Sequence, residues 1–219
     1  MKISLLNTQG EIDSIINKVA MACYVCTHSE IDNFEKWSGN DKENLIRRVV
    51  EKGHRSVLRH GVFTFMLRDV SRVLTHQLVR HTAGVAVSQQ SQRYTKLDDD
   101  RCYYVTPDSI KFSSFNQKYE DTMKDIQDFY LEMIDNDIEA EDARFILPNA
   151  TKSNIMFSGN GETFFNFFKA RICNRAQDEI MNLAINMHYI LEQQIPCIFE
   201  NVPNNCSVCK DRCGTPMRR

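Results

Sequence analysis

Apolar residues recur at helical or strand spacing through most of the chain. A short apolar run over 2–7 predicts a strand, and residues 11–23 place Ile12, Ile15, Ile16 and Val19 on one face of a helix. A second helix is predicted over 42–52, stopped by Gly53. Over 61–69 the pattern changes period: Val62, Thr64 and Met66 alternate with Phe63, Phe65 and Leu67, as in a strand with one face on a core. Residues 71–81 return to helical spacing through Val73, Leu74 and Leu78. Residues 82–95 are polar, without helical periodicity, and read as a loop holding Gly84 and two serines, Ser88 and Ser91.

The second half is mostly helical. Phe115, Tyr119, Met123, Ile126, Tyr130 and Met133 mark a long amphipathic helix over 114–136. A short helix over 140–147 ends at Pro148, a strand is predicted over 151–158, and Asn160–Gly161 makes a turn. One final helical region is predicted over 162–194, with Phe164, Phe168, Ile172, Ile180, Leu183, Met187 and Leu191 repeating along it. Together these elements predict an α+β fold, a small mixed or antiparallel sheet surrounded by long helices. Residues 1–200 are expected to form a single domain, and 201–219 a cysteine-rich tail.

Composition narrows the function classes. The 219 residues carry a formal net charge of -2, which argues against a nucleic-acid binder that relies on bulk positive charge. Neither a signal-peptide pattern nor an apolar run of about 20 residues is present, so no membrane association and a cytoplasmic location are expected. In that compartment the 8 cysteines should be reduced. Cys206, Cys209 and Cys213 are expected to be metal-free thiols; the alternative is zinc, which needs a fourth ligand such as Cys197.

Candidate chemistry concentrates in 77–97, QLVRHTAGVAVSQQSQRYTKL, which gathers Gln77, Arg80, His81, Ser88, Gln89, Gln90, Ser91, Gln92 and Arg93. Arginine forks match phosphate or carboxylate, hydroxyls and loop amides complete an anion cradle, and glutamine amides can read a heterocycle edge. Taken singly, each is more often a solvated loop residue; as a cluster they point to a nucleotide site. His54 and His60 are six apart, which does not fit a helical metal pair. Arg171 lies among Phe164, Phe167, Phe168 and Ile172, so it either snorkels to solvent or faces an anionic or carbonyl group in a pocket. The common Rossmann and phosphate-loop fingerprints are absent.

These segments resemble those of flavin-dependent thymidylate synthases. QLVRHTAGVAVSQQSQRY is similar to that family's RHR…S-x-R-Y signature, and GHRSVLRHGVFTF to its GHxSxxEHxxFTF segment. MACYVC, ARFILP and NFFKARICNRAQDEI follow the family's order. The resemblance implies a homotetramer whose active sites form between subunits. It also implies FAD as cofactor, with NADPH and 5,10-methylenetetrahydrofolate as co-substrates, for methylation of dUMP to dTMP without a cysteine nucleophile.

Carried over to this chain, the resemblance implies that Gln77, Gln89, Gln90, Ser91, Gln92, Arg93, Arg144 and Arg171 hold dUMP. Arg93 would be the phosphate fork, and Arg171 would face the uracil carbonyl. Ser56, Arg80, His81, Thr82, Gln89, Asn160 and Asn166 would contact FAD. The catalytic set would be Arg171, Ser91 and His54, with Ser91 binding substrate rather than attacking it, because no base adjoins it in QQSQRY. Several positions depart from the pattern. Thr82 replaces the last arginine of RHR, Arg59 stands where GHxSxxEH has glutamate, Glu162 replaces the arginine of N-x-R, Arg175 occupies a histidine position and Cys26 a serine position. In the family these positions lie on or near the flavin side. The expectation is altered FAD binding with dUMP binding retained; the alternatives are a non-catalytic dUMP-binding relative and a zinc-tailed nucleic-acid binder.

Overall fold

The computed structural model describes residues 1–97 and 103–202. The tail cysteines Cys206, Cys209 and Cys213 lie outside the described residues. In chain order the elements are β1 (Lys2–Leu5), α1 (Gln9–Val25), α2 (Gly39–Glu51), β2 (Val62–Ser71), α3 (Arg72–Leu78), β3 (Val85–Gln89), α4 (Asp108–Lys111), α5 (Asn116–Asp135), α6 (Ala140–Ala143), β4 (Lys152–Asn160), α7 (Gly161–Arg171), α8 (Asp178–Gln194) and α9 (Pro196–Phe199). Three 3-10 turns (Ile31–Lys36, Arg55–His60, Arg144–Ile146) lie between them. The strands form a small antiparallel sheet in the order β1-β2-β4-β3, so the α+β class holds.

Two expectations need correction. The polar stretch 82–95 contains β3, whose residues alternate between partly buried and exposed (Val85, Val87 and Gln89 inward). Its apolar signal is diluted because an edge strand packs only one face. The helical region predicted over 162–194 is two helices. Ile172 leaves helical geometry with ψ 74°, and Gln177 restarts the next helix by accepting from the Ile180 amide, with Asp178 and Glu179 in the first turn. Acidic residues there favour the positive end of the helix dipole.

By contacts the chain divides into two compact units, both discontinuous in sequence. The larger (3–66, 81–86 and 157 onward) has a phenylalanine core: Phe63, Phe65 and Phe157 of the sheet all meet Phe164 of α7, with ring centroids 5.5–6.1 Å apart. In it α1 packs on α2, and α7 on α8. Both α1 and α2 begin with capping boxes, at Thr8/Glu11 and Ser38/Asp41, which satisfy amides that a helix leaves unpaired.

The smaller unit (67–80 and 87–156, with Met1–Lys2) buries Leu74, Leu78, Tyr130 and Ile155. In β2 the alternation of Phe63, Phe65 and Leu67 slips by one residue to Val70. The slip falls at Asp69, whose φ of 57° is rare for a non-glycine residue, and its amide donates to Asn154 Oδ1 at 3.2 Å. Such a phase change is the effect of a bulge, and here it aims Ser71 inward to cap α3.

Candidate active site

In the smaller unit the end of β3 leads into the turn that carries Ser91 and Arg93. Gln89 donates through Nε2 to Thr75 Oγ1 (3.2 Å) and Ser153 Oγ (3.1 Å), both on buried residues. Gln90 pairs twice with β4: its amide donates to Asn154 O and its Oε1 accepts from Asn154 Nδ2, each at 2.8 Å. These two glutamines therefore anchor the loop to the scaffold. Thr75, Ser153 and Asn154, which hold them, carried no signal in the sequence, because isolated polar residues inside apolar elements look like ordinary satisfied core groups.

Beyond the anchor the chain turns tightly. Ser91 O accepts from the amides of Tyr94 (3.3 Å) and Thr95 (3.0 Å). Ser91 Oγ accepts from the Arg93 amide at 3.2 Å. Among the described residues that amide is the hydroxyl's hydrogen-bond partner, so no base activates it as a nucleophile. Gln77, on α3, donates to Val73 O at 3.4 Å.

Three arginines serve this unit. Arg93 Nε and Nη2 both reach Glu141 Oε2, at 2.8 and 2.7 Å, on an exposed surface. Arg144 Nε donates to Glu141 O at 3.0 Å. The third, Arg72, was missed from sequence. It follows the Ser71 cap directly, and its buried Nη1 has no hydrogen-bond partner among the described residues. Its pKa is lowered by burial first and by the charge of Arg144 second. Gln92 Nε2 is a second buried donor without a partner among the described residues. An unanswered buried donor costs about 1–3 kcal/mol. A cation repelled by a neighbouring cation adds to that cost, and a bound anion relieves both. A hydrophilic residue one step inside a buried helix start was the only available sequence signal for Arg72.

In the larger unit Arg171 ends α7 and donates from Nε to His81 Nε2 at 2.9 Å. An imidazole that accepts is neutral at that nitrogen, and burial, then the Arg171 charge, lower the His81 pKa below its usual value. The ring edge rests on Phe167, with centroids 5.0 Å apart. Thus Arg171 does not snorkel; a neutral acceptor orients it.

The loop after His81 is strapped to the start of α7. Thr163 Oγ1 donates to Ala83 O (2.8 Å), the Asn160 amide donates to Gly84 O (3.4 Å), and Asn160 Oδ1 caps α7 by accepting from the Thr163 amide (2.9 Å). Gly84 is required twice over. Its φ is +70°, and a Cβ there would sit 2.5 Å from Asn160 Nδ2. Thr82 and Asn166 are exposed, as is Arg80 in the other unit.

His54 follows Gly53, whose φ of 84° ends α2, and its amide donates to Val49 O at 3.2 Å. Its side chain is exposed. Ser56 lines a cavity of about 880 Å³ beside α1, with Lys18, Cys26, Arg59 and His60 also in the wall. Arg59 is ion-paired through Nε with Glu162 Oε2. The donors on this side (Ser56, His81, Thr82, Asn160 and Asn166) are largely neutral hydroxyls, amides and imidazole. Arg59, a cation, lies in the same cavity wall as Ser56. Of the expected residues, Gln77, Gln89, Gln90, Ser91, Gln92, Arg93, Arg144 and Arg80 fall in the smaller unit; Arg171, His54, Ser56, His81, Thr82, Asn160 and Asn166 fall in the larger.

Comparison with known proteins bears on the whole arrangement. The family model described as thymidylate synthase complementing protein matches residues 4–197. A flavin-dependent thymidylate synthase of Geobacter sulfurreducens is 36% identical over 208 residues, covering 94% of this chain and 88% of that protein. One from Pyrococcus abyssi is 40% identical over 190 residues, covering 85% and 77%. In fold, the chain superposes on a Helicobacter pylori flavin-dependent thymidylate synthase solved with FAD and dUMP, with a TM-score of 0.74, 21% identity and coverage of 92% and 99%. With a family model matching residues 4–197 and a relative 36% identical over 94% of this chain, this chain belongs to the flavin-dependent thymidylate synthases.

Proposed function

We propose that this protein is a thymidylate synthase that binds dUMP and FAD and reductively methylates dUMP to dTMP. The overall balance joins dUMP, 5,10-methylenetetrahydrofolate, NADPH and a proton to give dTMP, tetrahydrofolate and oxidised NADP. When bound, the flavin cofactor passes the hydride of NADPH on toward the nucleotide.

The observation that carries this reading is the buried Nη1 of Arg72, without a partner among the described residues and under the charge of Arg144, in the unit that bears the Ser91 turn. Two cations and a polar turn suit a nucleotide monophosphate. Arg93 would add a fork when the phosphate displaces Glu141 from it. Gln77 and Gln92 would meet the nucleoside, while Gln89 and Gln90 act through the backbone that they anchor. Arg171, oriented by His81, would stabilise negative charge on the uracil carbonyl as the ring is attacked. Fixed charges in a site that excludes water can contribute several kcal/mol to such a step. His54 and Ser56 would border the flavin and folate path, with Arg80, Thr82, Asn160 and Asn166 as further FAD contacts.

The reading extends to a homotetramer with active sites shared between subunits, in the cytoplasm, with residues 1–200 working as one domain. No described helix is long and apolar enough to cross a membrane, and no described cluster of His, Cys, Asp or Glu could hold a metal ion. A second reading, a dUMP-binding relative with altered flavin chemistry, is favoured by one observation: Thr82 carries no charge where the family motif has arginine. Incubating the protein with dUMP, methylenetetrahydrofolate, FAD and NADPH separates the two. Formation of dTMP supports the synthase; dUMP binding with no dTMP, even in excess FAD, supports the relative.

A further inference from the structure

Two departures from the family pattern, far apart in sequence, meet in space. Arg59 stands where the GHxSxxEH motif has glutamate, and Glu162 stands where N-x-R has arginine. The two side chains form an ion pair, Arg59 Nε to Glu162 Oε2, within the larger unit. Glu162 is the more buried partner, at 24% side-chain exposure against 64% for Arg59.

Resting on the synthase reading, we propose that these two substitutions are a single charge inversion. It keeps the ion pair and moves the cation from the start of α7 into the wall of the α1 cavity, where Arg59 takes the anionic part of a bound cofactor. Local physics favours the inverted polarity. Glu162 lies in the first turn of α7, an 11-residue helix, where a carboxylate gains from the helix dipole and an arginine would lose. Among the described residues the cavity wall carries Lys18, Arg59 and His60 and no acidic side chain. A guanidinium has five donors in a rigid fork, so the Nε contact with Glu162 leaves it able to bind a phosphate or carboxylate. The relocated charge also answers Thr82, which cannot supply the cation of the RHR motif. The ligand chemistry is an anion carried by a planar cofactor: the diphosphate of FAD or a carboxylate of the folate.

Purified Arg59→Glu, Glu162→Arg and the double variant test both halves. In flavin-free protein each single variant faces like charges, and melting should fall by about 2–4 °C per kcal/mol of lost coupling. The double variant should recover most of that loss, stopping short of the wild-type midpoint by what an arginine loses in the first turn of α7. Single variants that melt like wild type, or losses that simply add in the double, overturn the inversion.

The cation's new place is read separately, by titrating FAD, riboflavin and folinic acid. The double variant, its ion pair restored, should bind FAD about tenfold more weakly, and adding Thr82→Arg should restore it. Riboflavin affinity unchanged in that variant assigns the anion to the FAD diphosphate; a loss confined to folinic acid assigns it to the folate. Wild-type affinity for all three overturns the relocated cation, whatever the dTMP assay shows.

Discussion

Arg72 makes the sharpest prediction, because its stability and binding roles pull in opposite directions. Arg72→Met keeps an apolar stem of similar reach but removes the guanidinium. That guanidinium has a buried Nη1 with no partner among the described residues, and it feels the charge of Arg144. Removing an unanswered donor recovers up to about 1–3 kcal/mol, less the packing lost with the side chain. A net gain of about 1 kcal/mol raises the melting temperature of a chain this size by roughly 2–4 °C. Binding should move the other way. A charge-assisted hydrogen bond to phosphate contributes about 1.5–3 kcal/mol. The dUMP dissociation constant should therefore rise roughly 10- to 150-fold. Calorimetric titration with dUMP and with deoxyuridine measures it. The loss should be confined to the nucleotide, since deoxyuridine has no phosphate for Arg72 to meet. Arg72→Lys, which keeps the charge without the fork, should fall between. A variant that melts several degrees lower yet binds dUMP normally would make Arg72 a structural cation and remove the main support for the phosphate cradle.

Three further outcomes follow from the geometry. His81 is held neutral in the folded protein, with its pKa below the usual value of 6.5, so protons favour the unfolded chain as pH falls. Its stabilising contribution is complete above about pH 6.5 and declines below that until the folded pKa is passed. His81→Gln, an acceptor that does not titrate, should flatten melting curves between pH 7 and 5; identical pH dependence would exclude His81 as the titrating group. Gly84→Ala forces a Cβ to 2.5 Å from Asn160 Nδ2 at a φ of +70°, and should cost about 1–3 kcal/mol in urea unfolding and weaken flavin binding; an unchanged midpoint would refute the strap. Burial pushes the Cys23 and Cys197 thiols to about 12, so both should resist alkylation at pH 8 until the chain unfolds, whereas the exposed Cys26 should react; peptide mapping that finds Cys23 modified in folded protein contradicts the burial.

Much of the fold is legible in the chain because long periodic segments bury one face. Ile12, Ile15 and Val19 fix α1, and Phe63, Phe65 and Leu67 fix the start of β2, whatever surrounds them. The break between α7 and α8 was not legible, since apolar spacing continues through Ile172 and Ile180 while the backbone between them changes conformation. Nor was β3, an edge strand with a polar face.

The site divides in the same way. Arg93, Ser91, Arg144 and Arg171 stand out by residue type and motif, so sequence alone marked them. What tertiary structure decided is who meets whom: that Gln89 and Gln90 are spent on Thr75, Ser153 and Asn154, that His81 orients Arg171, that a half-buried Arg72 feels the charge of Arg144, and that Arg59 pairs with Glu162. Those partners are 14 to 103 positions apart. Periodicity is a local property, set by the geometry of one helix or strand, whereas a hydrogen bond or a charge pair depends on distances that exist only after the elements have packed. The sequence alone determined which chemistry the chain can carry; packing decided which donor faces which acceptor.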